Sequence, residues 1–347
     1  MCQLVNFKKS FTQLLLFFEL IFIPFLDLEL IFAGTEKVTL QEQNKILLEK
    51  IAKTHNLTEE HLKKLTNIFK TSGYIGQGNP KLTVHPMSVQ KCHEKLKSEK
   101  ISYENIKDET ICGGKYMAPL YNVEKSTKEK AKVCIDKFEF PDIPCEYPVV
   151  WVKAREAAEI CQAIGKRICD AHEWEGACAG DLREPDYDFT LAKKMDFHSA
   201  IKKMRYQHNL KEGKNKSWSY GPKRRTGICA ANGSKTEGCG GEGWAKCGSN
   251  TYPAGAFPEC KSSFNVYDIH GNAAEHMNLP ILPEQMASKK NSQLGYTEMK
   301  GSWFIFDKYK AHKDYCRWRA PFWHGTRVMD SKSHHNYHLG FRCCKDL

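Results

Sequence analysis

The sequence predicts an α+β protein in which a helical N-terminal part precedes a region that mixes short strands with helices. Apolar residues recur at helical spacing between residues 35 and 72. Alternation at Val133 and Ile135 predicts a strand, and residues 153–165 have the apolar face of an amphipathic helix. The high cysteine content indicates that disulfides hold these elements together.

The predicted helices have recognisable ends. Two are expected in the N-terminal part, where Gly73 marks the end of the second, and a short helix is expected at residues 86–97. Gly165 is the predicted C-cap of the helix that follows the strand. Asp170 and Glu173 then form the capping box of another helix.

The first 34 residues have the pattern of a secretory signal peptide. Two lysines precede an apolar run from Leu14 to Phe25, and Ala33 and Gly34 close the hydrophobic stretch. Three carboxylates interrupt the stretch, and carboxylates at bilayer depth are costly. We therefore expect removal of the segment, with a retained membrane anchor as the alternative.

The cysteine count favours disulfides over metal binding. The chain has 15 cysteines, of which Cys2 lies in the predicted signal, so the mature chain keeps an even number. No C-x-x-C pair occurs and the spacings are irregular for zinc. The adjacent Cys343 and Cys344 are expected to bond to two different partners.

The net charge of +11 is concentrated in one segment. Residues 192–225 hold eleven Lys or Arg against two carboxylates. A solvated insertion is the simpler interpretation. A site for an acidic polymer is the alternative, because Tyr206, Trp218 and Tyr220 are interleaved with the cations.

Five motifs occur in order between about residues 130 and 347. They read VCIDKFEFP, GKRICDAHEWEGACAG, VYDIHGNAAEHMN, KGSW and LGFRCC. In this order and at this spacing they resemble the formylglycine-generating enzyme family, also called sulfatase-modifying factors. The resemblance implies a domain over residues 126–347 that is related to C-type lectin-like domains, has little regular secondary structure, and carries calcium sites and a surface groove. Residues 35–125 would then form a small helical or irregular extension.

Several motif residues suit structural roles. Arg342 is expected to be a buried guanidinium that bridges backbone carbonyls and a carboxylate, and Glu275 is its candidate partner. Gly271 and Asn272 form a turn pair that favours positive φ.

The resemblance also implies calcium ligands just before this turn, in an N-x-x-G segment. Here Ser262 stands where the Asn is expected, and Asn265 replaces the Gly. A serine hydroxyl is a poorer calcium ligand than an amide carbonyl, although Asp268 remains available. Asp268 and Asn265 are therefore the candidate ligands of a calcium site.

Oxidase members of the family, as the resemblance implies, bind copper(I) through a C-x-x-x-x-C pair and convert a substrate-peptide cysteine to formylglycine with oxygen. Cys316 matches the second cysteine, but Ala311 stands at the first position, and the segment from Ser302 is longer than in that pattern. An alanine cannot ligate copper, so the two-thiolate site is absent at the expected spacing. Cys316 is the remaining candidate catalytic residue.

Cys316 has two interpretations. It forms a disulfide, for which Cys343 or Cys344 could supply a sulfur from the C-terminal strand, or it is a thiol activated by Arg317 and Arg319. We expect the disulfide. The candidate lining of the groove beside it comprises Ser302, Trp303, Arg317, Trp318 and Arg319.

Two functions of different classes follow. The preferred one is an exported, disulfide-stabilised, divergent family member that binds a peptide or an acidic polymer without redox chemistry. The alternative is an oxidase of the formylglycine-generating type that acts on a protein cysteine, with copper or iron held by a rearranged set that includes Cys316. We expect a monomer, periplasmic or secreted, with no membrane span after signal removal. No dinucleotide site is expected at residues 238–243, whose G-x-G-x-x-G pattern lacks the flanking strand and helix.

Overall fold

The computed structural model of the protein describes residues 38–239, 243–289, 293–320 and 325–347. The predicted signal peptide lies outside the described residues, as does part of the glycine-rich stretch at 238–243. Residues Val38–Leu347 form one compact unit. None of the helices in the described ranges is long and apolar enough to cross a membrane.

The described residues form seven α-helices and seven short strands. The helices are α1 (Leu40–Thr54), α2 (Glu59–Ser72), α3 (Val89–Ser98), α4 (Ile106–Cys112), α5 (Ala154–Ala163), α6 (Ala171–Ala179) and α7 (Phe197–Glu212). The strands are β1 (Met117–Leu120), β2 (Val133–Asp136), β3 (Arg167–Ile168), β4 (Ala274–Leu279), β5 (Tyr296–Lys300), β6 (Leu339–Gly340) and β7 (Cys343–Asp346).

The strands form two small sheets, and the predicted α+β class is confirmed. One sheet has the order β1-β2-β7-β3, with all neighbours antiparallel. The other has the order β5-β4-β6, in which β4 and β6 are parallel. The apolar run at residues 149–152, which resembles a strand in sequence, contributes only an isolated bridge between Val150 and Gly76. Much of the domain is therefore loop, as the family resemblance implies.

Local sequence signals set the helix ends. Thr39 and Glu42 form a capping box at the start of α1, and Gly73 ends α2 in the left-handed conformation at φ 75°. The Asp170–Glu173 capping box opens α6 as predicted. Helix α5 ends one residue earlier than expected, at Ala163, so Gly165 follows its cap.

The N-terminal helices share a core with the rest of the domain. Leu47 and Ile51 of α1 and Phe69 of α2 are buried in one apolar cluster with Phe140 and Phe341. Because the helical extension buries its apolar face against these rings, removing it would expose part of the domain's own core.

Seven disulfides cross-link the described residues. They join Cys92–Cys145, Cys112–Cys134, Cys161–Cys343, Cys169–Cys344, Cys178–Cys316, Cys229–Cys260 and Cys239–Cys247. The adjacent Cys343 and Cys344 point to opposite faces of β7 and reach different partners, as alternation along a strand requires.

Candidate functional site

Cys316 forms a disulfide with Cys178 of α6, at a Cα–Cα distance of 5.3 Å. Both residues are buried. The expectation that Cys343 or Cys344 supplies the second sulfur is wrong, because β7 directs those side chains toward Cys161 and Cys169. A disulfide sulfur is neither a nucleophile nor a thiolate ligand, so the oxidised protein presents no reactive thiol at this position.

His270 lies against this disulfide. Its Nε2 is 3.4 Å from Cys178 Sγ and 4.0 Å from Cys316 Sγ, and it accepts a hydrogen bond from the Ser219 backbone N–H at 3.1 Å. Burial lowers the pKa of His270 to about 4, so the ring is neutral at pH 7. Since Nε2 accepts, the proton is on Nδ1, which has no partner among the described residues.

A cleft of about 670 Å³ opens beside the same segment. Its walls are the end of β1 with the loop that follows, residues 181–186, one side of α6 and one side of α7. The polar side chains that line it are Asn122, Glu124, Lys125, Ser126, Lys130, Lys132, His172, Glu175, Asp181, Arg183, Glu184, Asp186, His208, Lys211, Glu212 and Arg317.

Two carboxylates that line the cleft, those of Glu175 and Asp186, form what we call its floor. Buried cations already neutralise them. Glu175 is 2.6 Å from Lys300 Nζ and 3.0 Å from Arg319 Nε. Arg319 also reaches Asp186 at 2.8 Å. Burial opposes ionisation of Glu175, but Arg319 and Lys300 outweigh it and hold its pKa below the usual range. A ligand therefore meets a floor whose negative charge is balanced.

Arg317 connects the cleft to the disulfide. Its guanidinium donates to the Asp181 carbonyl at 2.7 Å, and its own backbone carbonyl accepts from His208 Nε2 at 2.5 Å. Nδ1 of His208 contacts the Asp186 carboxylate at 2.8 Å, so both ring nitrogens face acceptors. The residue next to Cys316 is thus fixed in the wall of the cleft.

Three lysines on one rim of the cleft, which we call the rim lysines, have no described carboxylate partner. The side chains of Lys125, Lys130 and Lys132 are exposed. No carboxylate in the described part of the chain lies within the 4.0 Å of an ion pair from any of them. Glu124 and Glu184 also line the cleft and pair with no described cation, so the three ammonium groups leave its mouth with a small excess of positive charge.

The structure separates the residues predicted to line the groove. Of the five, only Arg317 lines the cleft. Ser302 Oγ accepts from the Gly271 N–H at 2.9 Å, and Arg319 is fully buried beneath the cleft. The rings of Trp303 and Trp318 both contact the His312 ring, with centroid distances of 5.1 and 4.8 Å.

The residues predicted to be structural lie together in a closed cluster. Arg342 donates to both oxygens of Glu275 at 2.7 and 2.8 Å, and its remaining N–H groups reach the carbonyls of Asp136, Lys137 and Tyr267. Asn272, at φ 52°, donates to the Glu139 carboxylate at 2.7 Å. The side chains of Arg342, Glu275, Asn272 and Glu139 are all buried.

The candidate calcium ligands lie in neighbouring turns. Asp268 is buried and accepts from the Gly255 N–H at 2.6 Å, and both Asp268 and Asn265 have positive φ. Ser262 Oγ is buried and lacks a hydrogen-bond partner among the described residues. Neither of the two groups of potential metal-ligating side chains found in the described ranges includes Asp268. The calcium site stays a prediction.

Sequence reasoning missed Cys178 and His270, which one of those two groups joins with Cys316. One signal was present: Cys178 follows Trp174 by four residues on α6, so both occupy the same buried face. His270 carried no comparable signal, because only the folded chain brings its turn against α6.

Fold and site together define a disulfide-linked α+β domain with a polar surface cleft. The family model of the "Sulfatase-modifying factor enzyme 1-like domain" matches residues 105–347. The chain therefore belongs to the sulfatase-modifying factor family.

The other comparisons add little. The solved structure titled "Crystal Structure of CarF" is 12% identical, covers 79% of this chain and 86% of its own, and has a TM-score of 0.28. A TM-score this low carries no argument about shared architecture or activity. The comparison with curated proteins found no match.

Proposed function

We propose that this protein is an exported, divergent family member that binds an anionic peptide or polymer in its cleft and performs no thiol chemistry there. The observation that carries the proposal is the Cys178–Cys316 disulfide. Cys316 is the one cysteine that matches the copper pair of the oxidases, and its sulfur is already bonded and buried.

The charge distribution supports an anionic ligand. The carboxylates of the floor are occupied by Arg319, Lys300 and His208, whereas the rim lysines Lys130 and Lys132 have no carboxylate partner within the described ranges. A ligand carboxylate or sulfate could pair with the rim lysines without displacing an existing ion pair, so it would avoid the cost of exposing a buried charge.

The disulfides support export. Seven disulfides in the described residues are compatible with an oxidising compartment, because cytosolic thiols are normally kept reduced. We therefore place the protein outside the cytoplasm, in a periplasm or secreted, and expect it to act as a monomer.

Thiol titration of the denatured, unreduced chain tests the absence of thiol chemistry. We expect no reactive thiol apart from that of Cys2 when the N-terminal segment is retained. Two further thiols that map to Cys178 and Cys316 would contradict the proposal.

Binding of polyglutamate and heparin tests the ligand class. We expect Lys130→Glu/Lys132→Glu to weaken binding of at least one probe by about tenfold, because two favourable charge contacts become repulsive. The matched control is Lys91→Glu/Lys97→Glu, which makes the same charge change on the exposed face of α3. An equal loss in both variants would indicate unspecific attraction to net charge, and no binding by the unaltered protein would reject the proposal.

The oxidase alternative also has an observation in its favour. Reduction of the disulfide by a dithiol would place two thiols and the neutral His270 within 4.8 Å of one another, a donor set that suits copper(I). Bound copper would supply oxygen activation. Cys178 and Cys316 would bind it as thiolates after losing their protons, and His270 would contribute Nε2 or orient the pair.

Copper(I) titration under anaerobic conditions separates the two functions. Stoichiometric copper retained by the reduced chain and lost in Cys178→Ala would favour the oxidase. The same chain must also oxidise a cysteine-containing peptide. Absence of copper binding after reduction of this disulfide would leave the binding function alone.

A further inference from the structure

The outer face of α7 adjoins the cleft and differs from the rest of the surface. Its inner residues, among them Ile201 and Met204, pack into the core. On the outside, Lys202, Tyr206, Leu210 and the adjoining Lys214 follow one another at intervals of four residues, so they lie along one stripe. We call these four residues the α7 stripe.

Two exposed apolar side chains lie at the centre of the stripe. Tyr206 is 63% exposed and Leu210 is 55% exposed. The other large apolar residues that are exposed in the described ranges are not spaced one helical turn apart: Val38, Ile46, Tyr74, Val84, Ile106, Val123, Tyr309, Met329 and Leu347. Adjacent exposed apolar side chains on a helix are typical of a contact surface rather than of scattered surface residues.

Both charged residues of the stripe are cations, although Asp186 lies beside Lys211 and Asp188 beside Lys203. Between residues 197 and 225 the only carboxylate is Glu212, which is buried and faces the cleft. Lys202 and Lys214 make no ion pair with any described carboxylate. The stripe therefore combines apolar contact area with two lysines that have no described carboxylate partner.

The stripe is continuous with the cleft. His208, Lys211 and Glu212 of α7 line the cleft, and Lys214 of the stripe follows Lys211 by three residues, with its N–H 3.4 Å from the Lys211 carbonyl. An extended ligand that leaves the cleft past Lys211 would therefore reach Lys214 first and then, one helical turn back, Leu210 and Tyr206.

We propose that the α7 stripe, together with the cleft, binds an extended acidic segment of a partner protein in which carboxylates alternate with apolar side chains. This inference rests on the proposed function and specifies its ligand. A polysaccharide would use the lysines but would leave Tyr206 and Leu210 without a partner. An anionic membrane would contact the stripe but, as a flat surface, would not enter the cleft.

Selection from a phage-displayed random dodecapeptide library on the oxidised full chain tests the proposal. We expect enriched peptides to contain both acidic and apolar residues.

With a labelled enriched peptide, Tyr206→Ser/Leu210→Ser should weaken binding about tenfold, as expected for the loss of two apolar contacts. Replacing the apolar residues of the peptide with serine should remove the difference between this variant and the unaltered protein. Tyr309→Ser, at a side chain that is 66% exposed, is the matched control and should change nothing.

The outcomes separate the two proposals. Enrichment of acidic peptides without apolar preference, or unchanged binding in Tyr206→Ser/Leu210→Ser, overturns the role of the stripe and leaves the cleft function standing. No enrichment, together with no binding of polyglutamate or heparin, rejects both proposals. Binding of heparin or of phosphatidylserine vesicles that depends on Lys202 and Lys214, without peptide enrichment, overturns the peptide in favour of that ligand.

Discussion

Two buried arginines make similar ion pairs in this protein but occupy different surroundings. Arg342 pairs with Glu275 and three backbone carbonyls, and both side chains are fully buried. Arg319 pairs with Glu175 and with Asp186, whose side chain remains 27% exposed at the floor of the cleft. The first pair is enclosed on every side, so it can only stabilise the fold. The second reaches the surface, so it can also shape a binding site.

Arg342→Met should give the largest loss of stability. It leaves the buried Glu275 carboxylate with Trp174 Nε1, at 3.0 Å, as its remaining side-chain donor. Breaking a buried pair from one side typically costs about 3–5 kcal/mol. Urea denaturation measures the change, and Arg155→Met, at an exposed pair with Glu159, is the control, which should lose less than about 1 kcal/mol. A similar loss in both variants would remove the contrast between enclosed and exposed arginines.

Cys178→Ala/Cys316→Ala should lower the free energy of unfolding by about 2–4 kcal/mol, because it releases a cross-link between residues 138 apart in sequence. Under the proposed binding function, the folded double variant should keep its affinity for the anionic probe. Loss of ligand binding in a variant that is still folded, measured by circular dichroism and anisotropy, would instead link these sulfurs to function.

Arg319→Met should cost less than Arg342→Met, about 1–3 kcal/mol, because Glu175 keeps Lys300 and Asp186 keeps His208. Since Asp186 lines the cleft, this variant should also change affinity for the anionic probe. Equal destabilisation by the two arginine variants, with unchanged affinity in Arg319→Met, would show that both pairs are purely structural.

Asp268 should act on the pH dependence of stability. Burial, with Glu275 adding repulsion, raises the pKa of Asp268 to about 7. Between the unfolded value near 4 and this value, the folded state binds more protons, so the contribution of Asp268 to stability falls as pH rises. Asp268→Asn should reduce the slope of the free energy of unfolding against pH by up to about 1.4 kcal/mol per pH unit between these two pKa values. Urea denaturation at several pH values between 4.5 and 7.5 measures this slope. An unchanged slope in Asp268→Asn would contradict the raised pKa of Asp268.

The same residue tests the predicted calcium site. A cation held by Asp268 would favour the ionised carboxylate, so calcium would flatten the pH dependence and a chelator would lower the melting temperature. A melting temperature that a chelator leaves unchanged would remove calcium from consideration.

Local signals predicted much of the fold. The helix ends at Gly73 and Asp170 and the strand at Val133 depend on neighbours within a few residues, and the structure has all of them. Residues 149–152 show the limit of such signals, because an apolar run reports burial but not which strand, if any, lies beside it.

The candidate site was predictable only in part. Arg317 was selected because it adjoins Cys316, and it does line the cleft. Trp318 and Arg319 were selected for the same nearness in sequence, and Trp303 belongs to the KGSW motif. All three side chains are nevertheless buried away from the cleft or beneath its floor. The rim lysines on the loop after β1 carried no signal, because that loop is far from Cys316 along the chain.

The sequence by itself determined the family, the helix caps, and the loss of one cysteine from the copper pair, since each of these is written in contiguous residues. Only the tertiary structure decided that Cys178 is the partner of Cys316 and that His270 lies beside them. Disulfide bonding requires two sulfurs to meet in space, and packing of α6 against distant segments, rather than any local pattern, determines which sulfurs meet.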